Sequence, residues 1–325
     1  LEEIHATGAD GAIAHAAMNA MTAFVRHGSP DLTKKWMPRI LAGEKRFISF
    51  GVTEAAAGTD TTRISTRAVR DGDRYRISGR KTWISHADHT DLMLLLARTA
   101  PQTDQRTDGF SIFLIDVKDA LKRGMSVSPI KTMVNHHSTE CLFEDLDVSA
   151  ECLIGEAGAG FRYILDGMNA ERILIGAECI GDARWFIEQA SGYACTREVF
   201  GGPIGRNQGV QFPIAEVYAE TFAARLVVER AAALFDVGDD CGEEANLAKF
   251  LASRSSYRAF YVCLPSFGFL FFPFYADIFL KFLSCRLSPV APVSYHPVSF
   301  PHLFLPTRSP VSIFLLSSLY NTPLL

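Results

Sequence analysis

The spacing of apolar residues changes twice along the chain. Residues 1–46 read as helix, residues 47–153 as short strands, and residues 154–258 as helix again. A helical repeat of about 3.6 residues and a strand repeat of about 2 bury different faces, so each change marks a change of architecture. The expected class is α+β: N-terminal helices, a middle β-barrel or sandwich domain, and an antiparallel C-terminal helix bundle.

Local signals fill in this order. Ala12 to Ala23 is rich in alanine and suits close helix packing. Ser29-Pro30-Asp31 starts a helix with proline in its first turn, and Trp36, Ile40 and Leu41 are read as facing inward. Phe47 to Val52 is a strand, and Asp71-Gly72 is a turn before alternating Tyr75 and Ile77. Leu92 to Ala97, Phe110 to Val117, Cys141 to Phe143 and Leu153-Ile154 complete the strands. One long helix is expected over 161–197. A second starts at Pro213 with Ile214, Val217, Tyr218 and Phe222 on its inner side, and a third covers 243–256.

Beyond Arg258 the composition shifts. Residues 259–325 hold nine of the 15 prolines, 11 of the 24 phenylalanines and a single acidic residue, Asp277. Prolines at 289, 292, 297, 301, 306 and 310 forbid a long helix. Ala259 to Ala276 is uncharged and has the length of a bilayer span, but Pro265 and Pro273 interrupt it. A separate domain lacks a readable period. The preferred reading is a non-native or disordered tail, such as a retained intron or frame shift gives, and an aggregation hazard. The first residue is Leu1 rather than Met, in sequence already helical, which reads as a fragment or processed product.

With 48% hydrophobic and 21% charged residues, the composition is that of a globular protein. A net charge of -4 offers no footprint for nucleic acid. The seven cysteines lack C-x-x-C spacing and read as free thiols in a reducing compartment. His136-His137 lacks a second ligand cluster at sensible spacing, and neighbours in a strand point apart, so no metal is expected.

One carboxylate stands out. Ile164, Met168, Glu171 and Ile175 share one side of a helix. A carboxylate on an apolar stripe is costly unless it is paired or has a job, and desolvation favours a base there. Arg172 next to it offers the plain alternative of an ion pair between helices.

Four motifs follow in order. Phe50-Gly51-Val52-Thr53-Glu54-Ala55-Ala56-Ala57-Gly58-Thr59-Asp60 runs from a strand into a small-residue loop that can offer backbone N–H groups to an anion or polar ring. Ser78-Gly79-Arg80-Lys81-Thr82-Trp83-Ile84-Ser85 is a turn into a strand, with Trp83 as core or as a flat wall. Leu153-Ile154-Gly155-Glu156-Ala157-Gly158-Ala159-Gly160-Phe161 leads into the long helix. Arg197-Glu198-Val199-Phe200-Gly201-Gly202-Pro203-Ile204-Gly205, with Asn207-Gln208, ends it, and the arginine can cap carbonyls or grip a phosphate.

In this order and spacing the motifs resemble those of the acyl-CoA dehydrogenase family, over residues 1–257. The resemblance implies FAD. Val52 and Thr53 match positions that contact the isoalloxazine ring. Trp83, Ile84 and Ser85 match its wall, with Ser85 in place of the usual Thr. Arg197, Phe200 and Gln208 match positions that hold the pyrophosphate and adenosine half, commonly across a subunit interface. Thr59 replaces a Ser on the CoA side of the substrate, and Arg172 is assigned to the substrate with it. Glu171-Arg172 matches the catalytic Glu placement of the isovaleryl and long-chain branches.

The implied reaction is α,β-desaturation of an acyl-CoA thioester, in fatty-acid or branched-chain catabolism. Glu171 takes the α proton and the β hydrogen leaves as hydride to flavin N5. The implied partners are an acyl-CoA substrate, an electron-transferring flavoprotein as acceptor, and further copies of the chain in a dimer or tetramer. The compartment is the mitochondrial matrix or peroxisome in a eukaryote and the cytoplasm in a bacterium. The alternatives are an acyl-CoA oxidase and an inactive flavin- or CoA-binding fragment. Ala55 and Ala56 stand where Pro and Gly are frequent, and His86 where Asn is usual. The family's C-terminal Gly-rich segment and last bundle helix have no counterpart in 259–325. The polypeptide as written is therefore expected to be inactive or insoluble, and stoichiometric bound FAD contradicts that.

Overall fold

The structure, a computed structural model, describes residues 1–132 and 137–267. They fall into two compact units, 1–15 with 169–267, and 16–132 with 137–168. The reading of the stretch after 267, and that of His136, lies outside the described residues. Among the described residues no helix is long and apolar enough to cross a membrane.

Three helices open the chain: α1 (Glu2–Ala6), α2 (Ala12–His27) and α3 (Pro30–Leu41). Ser29 caps α3, its Oγ accepting from the Leu32 N–H. Trp36 is buried as expected, but Leu41 is 77% exposed. Five positions separate the two, about 140° around a helix, so they cannot share one face.

The unit built on residues 16–168 holds eight strands: β1 (Phe47–Gly51), β2 (Arg67–Asp71), β3 (Arg74–Ser85), β4 (Leu92–Arg98), β5 (Phe110–Asp116), β6 (Met125–Pro129), β7 (Ser138–Ser149) and β8 (Leu153–Ile154). A short helix, α4 (Val117–Ala120), follows β5. The strand order is β6-β7-β3-β2-β4-β5-β8, with β1 parallel beside β4. β2 meets β4 only at Arg67 and Arg98, so two arms of sheet join there. β4 explains the unbroken apolar run. Leu92, Leu94 and Leu96 pack with Phe24, Trp36 and Phe47 on one face. Met93, Leu95 and Ala97 pack with Ile77, Phe113 and Phe143 on the other. β6 has no counterpart among the expected strands, because this edge strand is half exposed and ends in proline.

The long helix α5 (Gly160–Thr196) begins where Gly160 lies against the Ser111 backbone, which would meet an added Cβ at 2.7 Å. A two-residue hairpin, β9 (Glu198–Val199) and β10 (Gly202–Pro203), leads to α6 (Gln208–Val237) and α7 (Gly242–Cys263). α6 starts ahead of Pro213, which stands inside it. The carbonyl that Pro213 cannot serve belongs to Gly209 on an exposed first turn, where water reaches it. α7 continues past Arg258 to Cys263.

The inner face of α6 also differs from expectation. Val217, Thr221, Ala224, Val228 and Ala231 are buried, whereas Tyr218 and Phe222 are 59% and 55% exposed. The buried face of α7 is likewise small, with Ala245, Ala248 and Ala252. The Thr221 and Ser255 hydroxyls meet at 2.6 Å across the two helices. Small residues allow that close approach, so the large aromatics turn outward.

Candidate functional site

In the sheet unit, β1 delivers Val52 and Thr53 into the loop that follows it, and both are buried. Glu54 is buried with them. Its Oε2 accepts from the Ser65 N–H and Oγ, each at 2.7 Å. Its Oε1 accepts from the Thr66 N–H at 2.9 Å and from the Thr66 Oγ1 at 2.6 Å. Lys81, fully buried on β3, donates from Nζ to the same Oε1 at 3.0 Å and to the Val52 carbonyl at 2.9 Å. Burial alone would push the Glu54 carboxyl up. The charge of Lys81 and the hydrogen bonds from Thr66 and Ser65 outweigh it and hold the carboxyl down at about 2. Burial lowers the Lys81 ammonium to about 8, against the pull of Glu54, so the pair remains charged at neutral pH.

Directly after Lys81, β3 bulges. Lys81 faces Cys141 and Ile84 faces Thr139, so Thr82 and Trp83 together oppose one residue of β7. The Thr82 N–H turns to the Thr53 carbonyl at 2.9 Å, which stitches the first two motifs to each other. Trp83 takes a φ of 61°, in the left-handed region that a bulky side chain adopts at a cost of about 1 kcal/mol or more. Its indole is half-exposed, Ile84 is buried with its carbonyl held by Thr139 Oγ1 at 2.8 Å, and Ser85 is exposed. Thr59 is exposed on the loop.

In the helical unit, Glu171 is half-buried on α5, not sealed in the apolar face, and Arg172 is the residue turned fully inward. Arg172 Nη1 donates to Asn169 Oδ1 at 2.8 Å. Helices α5 and α7 come close here, since an added Cβ at Gly176 would stand 3.6 Å from the Ala248 backbone. Lys249, the next residue on α7, is buried beside them and is a residue that the sequence motifs do not mark. The signal was present: a lysine on the alanine stripe of α7. Burial draws the Lys249 ammonium down to about 7; Glu171 pulls it up and Arg172 pushes it down. Burial also lowers Arg172, with Glu171 pulling against it.

That depression has a measurable consequence. Between about pH 7 and 10.5 the unfolded chain keeps the Lys249 proton and the folded chain does not, so stability rises with pH through that window. Urea unfolding at pH 7, 8, 9 and 10 should show the rise in the parent chain and its loss in Lys249→Met. An equal slope in both would remove Lys249 as the cause.

Arg197, Phe200 and Gln208 lie on the surface of the same unit. The Ile204 N–H donates to the Arg197 carbonyl at 2.8 Å and closes the hairpin. Its turn residues Phe200 and Gly201 have φ of 53° and 83°, the signs of a type I′ turn, and the strained Phe200 ring is fully exposed.

These side chains fit FAD. Thr53 and Ser85 carry hydroxyls on the two segments that the Thr82 N–H joins, and half-exposed Trp83 adds an indole between them in sequence, a set of groups suited to a flat polar ring. Exposed Arg197 and Gln208 offer charge and amide groups of the kind a pyrophosphate takes.

Residues 49–146 match the acyl-CoA dehydrogenase middle domain, and residues 158–268 match the acyl-CoA dehydrogenase C-terminal domain. The acyl-CoA dehydrogenase FadE12 of Mycobacterium tuberculosis (strain ATCC 25618 / H37Rv) is 31% identical over 278 residues, covering 84% of this chain and 70% of the relative. A probable acyl-CoA dehydrogenase structure from Mycobacterium abscessus superposes with a TM-score of 0.79 at 28% identity, over 88% of this chain and 76% of that one. PigA with FAD and proline gives a TM-score of 0.78 at 25% identity, over 85% and 71%. Fold and matches define a flavoprotein oxidoreductase. The chain belongs to the acyl-CoA dehydrogenase family, and FAD is its cofactor.

Proposed function

We propose that the chain desaturates an acyl-CoA thioester between its α and β carbons, with Glu171 as the base. The observation that carries this reading is the half-buried Glu171 next to the buried guanidinium of Arg172 and within electrostatic reach of the buried Lys249 side chain on the packed helix α7. A carboxylate half-buried on a packed helix is partly shielded from water and still reachable, as abstraction of a proton from a bound substrate requires. Arg172, sealed from solvent, serves Glu171 in this reading rather than touching the substrate. Thr59, on its exposed loop, is placed on the CoA side.

FAD, when bound, supplies the acceptor for the hydrogen that leaves the β carbon with its electron pair. Val52, Thr53, Trp83, Ile84 and Ser85 would hold the ring, and Arg197, Phe200 and Gln208 the pyrophosphate and adenosine half. An electron-transferring flavoprotein is the proposed final acceptor. Exposed Phe200, Tyr218, Phe222 and Leu226 on the helical unit suit burial against further copies, a dimer or tetramer.

Mixing the FAD-loaded chain anaerobically with straight and branched acyl-CoAs tests the reading. The expected result is loss of flavin absorbance and formation of the enoyl-CoA. Peroxide released at the turnover rate in air, with no other acceptor, would make the chain an oxidase. Bound FAD that no acyl-CoA bleaches would leave a binding protein only.

A further inference from the structure

The turn after the Trp83 strand brings together residues that lie far apart in sequence. The His86 N–H donates to the His137 carbonyl at 2.8 Å and ties this turn to the start of β7. Both residues have left-handed φ, 58° and 60°, outside the range most side chains adopt. Beside them stand Asp88, His89 and His137, all exposed. Spacing in the sequence argues against a metal, because neighbouring histidines in a strand diverge. The fold supplies the missing ligands from the opposite chain segment.

The geometry of the three donor atoms is informative. His89 Nε2 and His137 Nδ1 are 2.8 Å apart. Asp88 Oδ2 lies 3.6 Å from the first and 3.8 Å from the second. A circle through three points with those separations has a radius of about 2.0 Å, and Zn²⁺ bonds to imidazole nitrogen and carboxylate oxygen run about 2.0–2.2 Å. A cation a fraction of an ångström out of that plane therefore reaches all three atoms at bonding distance with little movement. Solvent covers the outer side, since His89 and His137 are 48% and 46% exposed in their side chains, and leaves room for a water as fourth ligand. The His86 ring has its centroid 5.5 Å from that of His137.

We propose that Asp88, His89 and His137 form a binding site for a divalent transition-metal cation, Zn²⁺ first among them. Two imidazoles and one carboxylate select Zn²⁺ over Mg²⁺ and Ca²⁺, which prefer all-oxygen shells. Three protein ligands with one open position match the ligand count of exchangeable zinc sites rather than closed structural ones. The bound ion would clip the 86–89 turn to the residue just before β7, beyond the bulge that carries Trp83. The Asp88, His89 and His137 cluster lies apart in sequence from Glu171 and takes no part in the reaction proposed above.

The test is calorimetric titration of the chelator-treated full chain with Zn²⁺, repeated with Co²⁺ as a visible probe. The expected result is one equivalent bound at micromolar concentration, with a rise in Tm as any ligand of the folded state gives. Co²⁺ should show the intense visible bands of a four-coordinate site. His89→Gln and His137→Gln should each weaken binding by at least about tenfold, the scale on which even outer-shell changes act at metal sites. Asp88→Asn should weaken it in the same direction. These side chains are exposed, so the substitutions should leave the far-ultraviolet circular dichroism unchanged. Full retention of the one-equivalent site in His89→Gln/His137→Gln would place the metal elsewhere and overturn the proposal. Absence of saturable binding below about 1 mM in the parent chain, an affinity of only ~4 kcal/mol, would reduce the cluster to a hydrogen-bonded histidine pair and overturn it as well.

Discussion

Glu171→Gln in the FAD-loaded chain is expected to lower kcat by about 10²–10⁴-fold, the usual contribution of a general base. Flavin content should not change, because Glu171 is not among the residues proposed to hold FAD and the substitution keeps the side chain's size and shape. The amide keeps the shape of the carboxylate and loses only its capacity to accept a proton. The loss should therefore fall on kcat and kcat/KM alike, with little change in KM. Burial alone does not mark the base. Glu178, on the same helix, is more deeply buried, but its Oε1 sits 2.9 Å from His15 Nδ1 and 3.7 Å from His5 Nε2. That carboxylate is committed to holding α1 and the start of α2 against α5. Glu178→Gln should cost stability and leave kcat close to that of the parent chain. Undiminished turnover in Glu171→Gln would move the base elsewhere, and a large kcat loss in both variants would show that the helix packing, not the carboxylate, is being read.

The order of helices, sheet and helices was legible because periodicity reports which face a segment buries. β4 shows how far this goes: its apolar run names a strand buried on both sides, and the structure packs both sides. The inward face of α6 was not legible. Hydrophobicity favours Tyr218 and Phe222, while close approach to α7 favours Val217, Thr221 and Ala224, and packing distance wins. The loop and strand motifs gave Thr53 and Trp83 but not what fixes them. A carboxylate and a lysine separated by 27 positions show no pairing in sequence, since only the register of β3 against the loop after β1 joins them. Lys249 with Glu171, and His137 with Asp88 and His89, are likewise joined only by the fold. Each group was visible as a residue and invisible as a cluster.

Lys81→Met should destabilise the sheet unit by about 3–5 kcal/mol, the cost of removing one partner from a buried ion pair. Methionine fills much the same volume, so the effect comes from leaving Glu54 without its cation rather than from a cavity. Four donors from Ser65 and Thr66 stay on the carboxylate, which is why the chain should still fold at neutral pH. The pH dependence gives a second readout. Glu54 is held at about 2, below its ordinary 4.5, so its stabilising contribution is complete above pH 4.5 and is lost as the pH falls towards 2. Without Lys81 the desolvation of the carboxyl is less opposed, its pKa rises, and acid unfolding should begin at higher pH. Glu54→Gln tests the pair from the other side, and the two changes together should cost less than their sum, with a coupling of about 1–3 kcal/mol. Function should follow stability here. Lys81 holds the Val52 carbonyl and precedes the bulge whose Thr82 N–H bonds to Thr53, so both proposed flavin-facing segments hang from one buried charge. Lys81→Met should accordingly release FAD at lower urea concentrations than the parent chain while kcat per bound flavin changes little. A stability loss below about 1 kcal/mol, within the range of an exposed ion pair, would show that this pair is not the clamp its burial implies.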